Sequence, residues 1–502
     1  MSNAAGYGEG TGAGVSLTSN ASVGGGAAGR TVRSLVPARM DRLPWTRFHW
    51  LVIIGLGVSW ILDGLEIQIA STVGTVLQDK GTLHISSGDV GTLGSVYLLG
   101  EVVGALVFGR ITDMIGRKRM FVACLGLYLV ASGVGGLSFS LWFLLLFRFL
   151  AGMGIGGEYT AINSAIDELI PSHYRGRVDI AVNGTYWGGA IIGTLGTFIF
   201  LNVMSVSVGW RIAFLLGPVL GLVILVVRRH LPESPRWQVM HGREREAEES
   251  ISFIEHEVEH TGRSLPPVAE SRAIELRPTS QIGYFALLRV LFREFPGRSI
   301  LGATLMITQS FLYNAIFFTY SLVLKNFFQV GDNVIPLYFV AFAVGNLAGP
   351  LLIGHLFDTL GRKKMIAGTY ILSGVLLAIT AALFQAGALN AITQTICWTV
   401  IFFFASASAS SAYLTVSEVF PMESRAMAIA FFYALGTGAG GLFAPWLFGI
   451  LIGTSNKGLV SLGYYAGAIL MLLAAGCEVA IGVKAERKSL ESIAQPLSAA
   501  AG

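Results

Sequence analysis

Cysteine is scarce: Cys124, Cys397 and Cys477 are the three in 502 residues. Each lies inside an apolar run, with no pair at metal or redox spacing, so a disulfide framework, a zinc cluster and a thiol redox centre are excluded. They read as small buried hydrophobes. Charge is equally thin, at 13% of residues against 53% hydrophobic, with a mean hydropathy of +0.65. That balance excludes an ordinary water-solvated globule and places the chain in a lipid bilayer. No basic stripe lies on a soluble segment long enough to bind nucleic acid. No Ser/His/Asp set, metal cluster or nucleotide-cradling loop is present, so the chain reads as no enzyme and needs no cofactor. The Gly152-x-Gly154-x-Gly156-Gly157 run sits inside an apolar span with no preceding strand, where small residues serve close helix packing.

What is abundant is long apolar sequence. Crossing a bilayer as helix takes about 20 mostly apolar residues, and twelve such runs occur. Six lie at 49–77, 88–110, 119–140, 142–167, 179–202 and 208–228, and six more at 299–327, 334–356, 366–386, 390–415, 427–452 and 461–482. The expected architecture is an all-α membrane protein of twelve transmembrane helices. Residues 48–228 form an N-terminal six-helix bundle and 298–483 a C-terminal one. Between them, 229–297 is a polar linker whose Arg243-to-Glu259 charges are spaced for helical i,i+4 pairing. Residues 1–47 begin Gly/Ser/Ala-rich and read as a disordered tail, followed by a retained first helix instead of a cleaved signal peptide. Residues 484–502 form a second, short tail.

Basic residues crowd alternate loops. Arg117, Lys118, Arg119, Arg175, Arg177, Arg228, Arg229, Arg362, Lys363, Lys364, Arg425 and Lys484 fall on one side, opposite chiefly Lys80, Arg211, Lys325 and Lys457. The positive-inside rule then puts both termini in the cytoplasm, in a cell-membrane protein.

The two halves repeat each other. Gly109-x-x-x-Asp113-x-x-Gly116-Arg117-Lys118 recurs 245 residues later as Gly354-x-x-x-Asp358-x-x-Gly361-Arg362-Lys363. Glu168-x-x-Pro171-x-x-x-Arg175 recurs 250 residues later as Glu418-x-x-Pro421-x-x-x-Arg425. Duplicated halves with a shared motif set predict two bundles related by a pseudo-two-fold axis. In each motif the glycine permits close helix contact and the aspartate can face a neighbouring helix N-terminus. The arginines can pair with carboxylates while that side is shut, so the loop can act as a latch.

The first of these motifs resembles the signature between helices 2 and 3 of the major facilitator superfamily. More narrowly, Arg148-Phe-Leu-Ala-Gly152-Met-Gly154-Ile-Gly156, the stretch from Glu168 to Arg177, Pro232-Glu233-Ser234-Pro235-Arg236-Trp237, Ser417-Glu418-Val-Phe-Pro421 and a shortened Lys488-Ser489-Leu490-Glu491 resemble the sugar-porter branch and its metabolite:proton symporter relatives. The resemblance spans nearly residues 48 to 493. It implies alternating access of two bundles to a central site.

Charges within the spans are costly and default to pathway or coupling residues. Asp63 and Glu66 lie at i,i+3 on span one, where they can share a helix face, and Arg148 on span four can reach that face. In the resemblance, Gly64-Leu65-Glu66 matches the Gly-aromatic-Asp of the sugar-porter first helix, and Arg148 matches its basic partner. A carboxyl whose Arg partner comes and goes can load and release a proton, and the alternative is a static ion pair that fixes packing. Glu101 and Glu158 are further embedded acids that sugar porters do not usually carry. They are suited to a cationic substrate group, to a second proton, or to staying protonated against a carbonyl.

The resemblance also points to a substrate site on the cleft-lining helices. Gln309 and Asn314 on span seven match its glutamine and asparagine, with Tyr313 between them. Asn183 on span five stands where a sugar-binding glutamine is usual. Tyr413 replaces the usual tryptophan before Ser417-Glu418, Leu312 replaces a glycine, and Phe318 and Thr319 replace paired tyrosines. Tyr186 and Trp187 are candidate aromatic walls. The sugar site is thus partly retained. The expected function is proton-coupled uptake of a small polar solute such as a sugar, polyol or related metabolite. The protein would use no cofactor beyond the proton gradient and would work as a monomer in the bilayer. Organic or aromatic acids are a close alternative, because Asp63-Gly-Leu-Glu66 also resembles the first-helix motif of aromatic-acid symporters. A proton-driven efflux carrier and a nutrient sensor of the same fold are the others, the last disfavoured by a tail too short to fold alone.

Overall fold

The computed structural model describes residues 32–77, 81–85, 87–228, 233–260, 264–276, 283–317, 319–330, 334–421 and 424–494. A backbone in hydrocarbon must satisfy its own hydrogen bonds, so helix is the expected answer along every apolar run. Helix occupies all twelve.

In chain order the elements begin with strand β1 (Val32–Ser34) and helix α1 (Val36–Asp41). The first bundle comprises α2 (Arg47–Val76), α3 (Ser87–Ile115), α4 (Arg117–Gly135), α5 (Leu141–Leu169), α6 (Arg175–Gly184), α7 (Tyr186–Val203) and α8 (Val206–Arg228). The linker carries α9 (Pro235–Met240), α10 (Glu244–Glu259), β2 (Ile274–Leu276) and α11 (Tyr284–Arg289). The second bundle comprises α12 (Pro296–Phe317), α13 (Tyr320–Phe328), α14 (Ile335–Ile353), α15 (Leu356–Thr359), α16 (Arg362–Gln385), α17 (Ala391–Val419), α18 (Arg425–Gly436), α19 (Phe443–Gly453) and α20 (Lys457–Ile481), and α21 (Leu490–Ile493) follows.

Among the described residues nine helices are long and apolar enough to cross a membrane. Of the other three expected spans, one is divided between α6 and α7 at Thr185, one is α18 and α19 joined by a π turn at Thr437–Gly441, and one is the single helix α8, with Pro218 inside it. Local signals explain several boundaries. The Ser140 side chain accepts from the Phe143 N–H at the start of α5, and Asn390 and Thr393 form a capping box at the start of α17.

The same pairings recur in both halves. Helix α3 packs on α5, α4 on α5 and α8, and α2 on α8, while α14 packs on α17, α16 on α17 and α20, and α12 on α20. The halves meet reciprocally, α18 lying on α3 and α5 and α6 on α14 and α17. Two seams depend on glycine. A Cβ at Gly152 or Gly156 of α5 would collide with the carbonyls of Tyr97 or Glu101 on α3, and one at Gly349 of α14 with that of Phe403 on α17. The backbones approach so closely that no side chain fits between them. Gly349→Val is therefore expected to destabilise the second bundle by about 1–3 kcal/mol, measured as a lower melting temperature in detergent; an unchanged melting point would contradict the seam.

At the basic end the expected 1–47 disordered tail needs correction. Residues 1–31 lie outside the described residues, as do Lys80, Arg229 and Phe318, but from Val32 the chain is folded. β1 pairs antiparallel with β2 of the linker, Arg33 opposite Glu275. Arg39 bonds Glu248 at 2.6 Å and also Glu255 of α10, and Arg42 bonds Glu255 too. α10 has an apolar stripe, Ala247, Ile251, Ile254 and Val258, buried against this layer. The Gly-rich bias ends at Gly29, and Arg39 and Arg42, placed in the disordered tail, have acidic partners more than 200 residues away, which composition does not reveal.

Burial alone pushes the half-buried Glu255 carboxyl up, but the hydrogen bonds and charges of Arg39 and Arg42 outweigh it and hold the group below its ordinary range. A carboxyl depressed in the folded state contributes stability fully above its unfolded pKa, about 4, and loses it as pH falls through the folded value. Hydrogen exchange in residues 36–42 is expected to stay protected at neutral pH and to rise on acidification below about pH 4. Glu255→Gln should show raised exchange already at neutral pH.

Candidate functional site

Two layers of buried polar groups lie between the halves, one at the basic end and one midway along the helices.

At the basic end the duplicated motifs form a reciprocal lock. Gly116 and Gly361 start α4 and α16 with φ of 108° and 105°, a left-handed turn that glycine adopts without strain. This turn places Arg117 2.8 Å from Glu168 and 3.3 Å from Asp113. In the other half Arg362 forks onto Glu418, with both nitrogen–oxygen distances 3.1 Å, and also holds Asp358. Each aspartate then reaches across. Asp113 accepts from the Met427 N–H at the start of α18 at 3.1 Å, and Asp358 accepts from the Arg177 N–H at the start of α6 at 2.8 Å. A carboxylate at a helix N-terminus meets unpaired N–H groups and the positive end of the helix dipole.

Gly109 lies buried on α3, and a Cβ at Gly354 would press on Ile180 of the opposite half. Arg175 lies 3.7 Å from Glu418 across the interface and 3.9 Å from Asp167. Arg177 stacks on Tyr174, Lys118 donates its backbone N–H to Glu233, and Lys363 lies near Glu478. Arg425 is fully buried among Asp167, Glu168 and Glu491. Two parts were not legible in the motifs: Asp41 of α1 sits 3.0 Å from Arg236, and Arg236 reaches Glu491 of α21 at 3.8 Å. The N-terminal segment, linker and C-terminal segment therefore all brace the shut end.

Midway along the helices the structure brings Glu66 and Arg148 together, 3.0 Å apart and both buried. The guanidinium also covers the Tyr97 ring at 4.1 Å. Asp63 does not join this pair, contrary to the expectation of a shared face. Its carboxylate accepts instead from the hydroxyls of Tyr97, at 3.4 Å, and Tyr159. Three residues on a helix leave about 60° between side chains, enough to point Glu66 inward to α4, α5 and α8 and Asp63 toward the interface. Glu101 accepts from the Tyr433 hydroxyl of α18 at 2.7 Å, a bond between the halves. Glu158 is buried beside Tyr159 and interacts electrostatically with Asp63.

Aromatic rings close over these acids. Trp60 stacks on Tyr159 at 4.4 Å, Tyr159 meets Tyr433 edge-on at 4.7 Å, and Tyr413 lies 6.0 Å from Trp60. Tyr186 packs on Trp187, whose ring faces Tyr313 of the other half at 5.8 Å. Gln309 interacts with the Tyr413 hydroxyl, and Tyr313 donates to Asn346 at 2.9 Å. Asn314 turns away, donating to the Ser310 carbonyl of its own helix, and Asn183 bonds Asn163 and the Asp179 carbonyl. Of the three amides expected at the substrate site, Gln309 alone reaches the aromatic layer. Trp60, Tyr97, Tyr159, Tyr433 and Asn346 were missed. The signal was a tyrosine or tryptophan within one turn of an embedded acid, as in Trp60/Asp63 and Tyr97/Glu101.

If the aspartate-to-helix bonds hold the basic end shut, Asp358→Ala should raise the alkylation rate of a cysteine placed at Ile180 by roughly 2- to 30-fold, corresponding to about 0.5–2 kcal/mol. An unchanged rate would remove Asp358 from the lock.

Similarity to known proteins extends over most of the chain. Residues 62–494 match the family model described as sugar (and other) transporter. The niacin transporter NiaP of Acinetobacter baylyi is 27% identical over 91% of this chain and 99% of its own length. The benzoate transport protein of the same organism is 25% identical over 69% and 72%. In fold, the chain is similar to the proton:xylose symporter XylE, with a TM-score of 0.74 at 18% identity over 89% of this chain and 98% of that one. Two six-helix halves, a duplicated basic lock and a family match across most of the chain lead to one conclusion: the protein is a membrane transporter of the sugar (and other) transporter family within the major facilitator superfamily, and not an enzyme.

Proposed function

We propose that this transporter is a proton-coupled importer of a small aromatic or heteroaromatic metabolite. The observation that carries the proposal is the central layer itself, where Trp60, Tyr159, Tyr413 and Tyr433 surround the buried carboxyls Asp63 and Glu101. Flat rings stack on such walls. A hexose needs a set of converging amides, and two of the three candidates face their own bundles. The relatives named for niacin and benzoate support the same substrate class. A sugar remains the second reading, favoured by Gln309 beside Tyr413.

Electrostatics supplies the reason for protons. Like charges at about 4 Å repel by roughly 4 kcal/mol at an effective dielectric of 20, so an anionic substrate meets an ionised Asp63 or Glu101 at a cost. A proton on the site removes that cost, and substrate and proton then favour each other's binding. Glu66 and Arg148 form the second element: protonating Glu66 weakens its hold on Arg148 and repacks α2 against α5. With the basic end shut, the arrangement fits an outward-facing or occluded state. The basic end is then the cytoplasmic face, with both termini there, and each chain acts as a complete carrier in the cell membrane. Transport requires each ligand to bind the two arrangements unequally.

In proteoliposomes with an imposed pH gradient, labelled niacin or benzoate is expected to accumulate and xylose not. Glu66→Gln should lower uphill accumulation at least tenfold and leave exchange at equal pH measurable. Accumulation of xylose without the aromatics would overturn the substrate class. Undiminished pH-driven uptake in Glu66→Gln would overturn the role of that pair.

A further inference from the structure

The Glu66–Arg148 pair has a limitation as a coupling device: both residues belong to the first bundle. Glu66 is enclosed by that bundle's own side chains, with Arg148 at 3.0 Å and Tyr128, Ser132 and Gly217 around it. Its protonation has no direct contact through which to act on the second bundle. Glu101 has one.

The Glu101 Oε2 accepts the Tyr433 hydroxyl across the interface at 2.7 Å. Its Oε1 is buried and lacks a close hydrogen-bond partner, the Tyr97 hydroxyl beside the carboxyl being shared with Asp63. A bare carboxylate oxygen at that depth is expensive, and a proton on it removes most of the cost. Two features hold the side chain there. Gly152 and Gly156 press α5 onto the α3 backbone at Tyr97 and Glu101, which leaves α3 no freedom to roll Glu101 toward lipid. α18 is docked at the basic end through the Met427 N–H on Asp113.

The groups facing Glu101 are Asp63 on α2, Tyr97 on its own helix, Arg148 and Tyr159 on α5, Tyr186 on α7, Tyr413 on α17 and Tyr433 on α18. Arg148 is already engaged by Glu66. Asp63 and Glu101 thus share a layer of phenols, with Glu158 of α5 as a third carboxyl beside Asp63 and Arg148 already engaged. Neighbouring acids in such a site do not both ionise readily.

We propose that Glu101, with Tyr433 as its cross-bundle partner, is a second proton-carrying site, and the one that ties protonation to closure of the basic end. This rests on the proton-coupled reading above. The proton binds Glu101 from the non-basic side while Tyr433 bridges the halves. When the basic end opens, α18 leaves α3, Tyr433 keeps its own phenolic hydrogen, and Glu101 gains access to water there and releases the proton to it. One proton has crossed and both side chains return to their starting states. Tyr433 is here a positioning residue.

The test uses full-length protein in nanodiscs, with Cys124, Cys397 and Cys477 replaced by alanine and spin labels on Arg119→Cys and Lys364→Cys. These exposed positions sit at equivalent places on the basic ends of the two halves. Distances are read by double electron–electron resonance from mildly acidic to mildly alkaline pH, without substrate. The parent is expected to shift from a short to a long distance population as pH rises. Glu101→Gln, a permanent mimic of the protonated acid, should stay short throughout. Tyr433→Phe should lose short population at acidic pH while still responding to pH. A Glu101→Gln protein that redistributes with pH like the parent overturns the proposal, and if Glu66→Gln abolishes the response in that same experiment, the broader proton-coupled reading survives without Glu101. A parent whose distances ignore pH overturns both.

Discussion

A charge inside a hydrocarbon layer must be paired, shared or neutralised, and that constraint organises this molecule more than any other. Its acids and arginines within the spans are few, and those of the central layer are held by specific partners. Glu66 has Arg148, Asp63 has two tyrosines, and Glu101 has Tyr433 from the opposite half. At the basic end the same rule makes a lock, since Asp113 and Asp358 are satisfied by helix N-termini of the other bundle. Separating the halves removes those helix N–H partners, leaving Asp113 and Asp358 with the arginine of their own half and with whatever water or proton takes the lost place. Under the proposed function, alternating access is tied to solvation and protonation by the energetics of buried charge.

The apolar seams play the complementary part. Glycine contacts bring α3 against α5 and α14 against α17 at backbone distance, which stiffens each bundle, while the polar contacts described between bundles are local. Rigid halves concentrate any motion at their interface, and the central aromatic layer sits on that interface. Tyr159 belongs to one bundle and Tyr413 and Tyr433 to the other, so a ring bound among them is gripped by both. The segments at the basic end extend the lock outward: Asp41, Arg236 and Glu491 join the N-terminal segment, the linker and the C-terminal segment to the motif arginines.

Much of this was legible in the residues themselves. The apolar runs, the loop charges and the duplicated motifs led to two six-helix halves, and Glu66 with Arg148 followed from the cost of charge within a span. The errors were of one kind. Asp63 was grouped with Glu66 because they stand three residues apart, whereas the direction of each side chain depends on which helices surround α2. Asn183 and Asn314 were placed at the substrate by resemblance and are turned to their own bundles. Arg39 and Arg42 were read as part of a disordered tail because their acids lie far along the chain, on α10.

Composition and periodicity determine which segments enter a bilayer, because transfer of a segment into lipid depends on what that segment contains. A repeated motif reveals that the halves share a plan, because duplicated sequence folds by the same local rules. Which acid faces which tyrosine, and that Glu101 is hydrogen-bonded across the interface to Tyr433, was decided only by tertiary structure. Those contacts join residues 34 to 332 positions apart, through helix rotations and close approaches that no local pattern encodes.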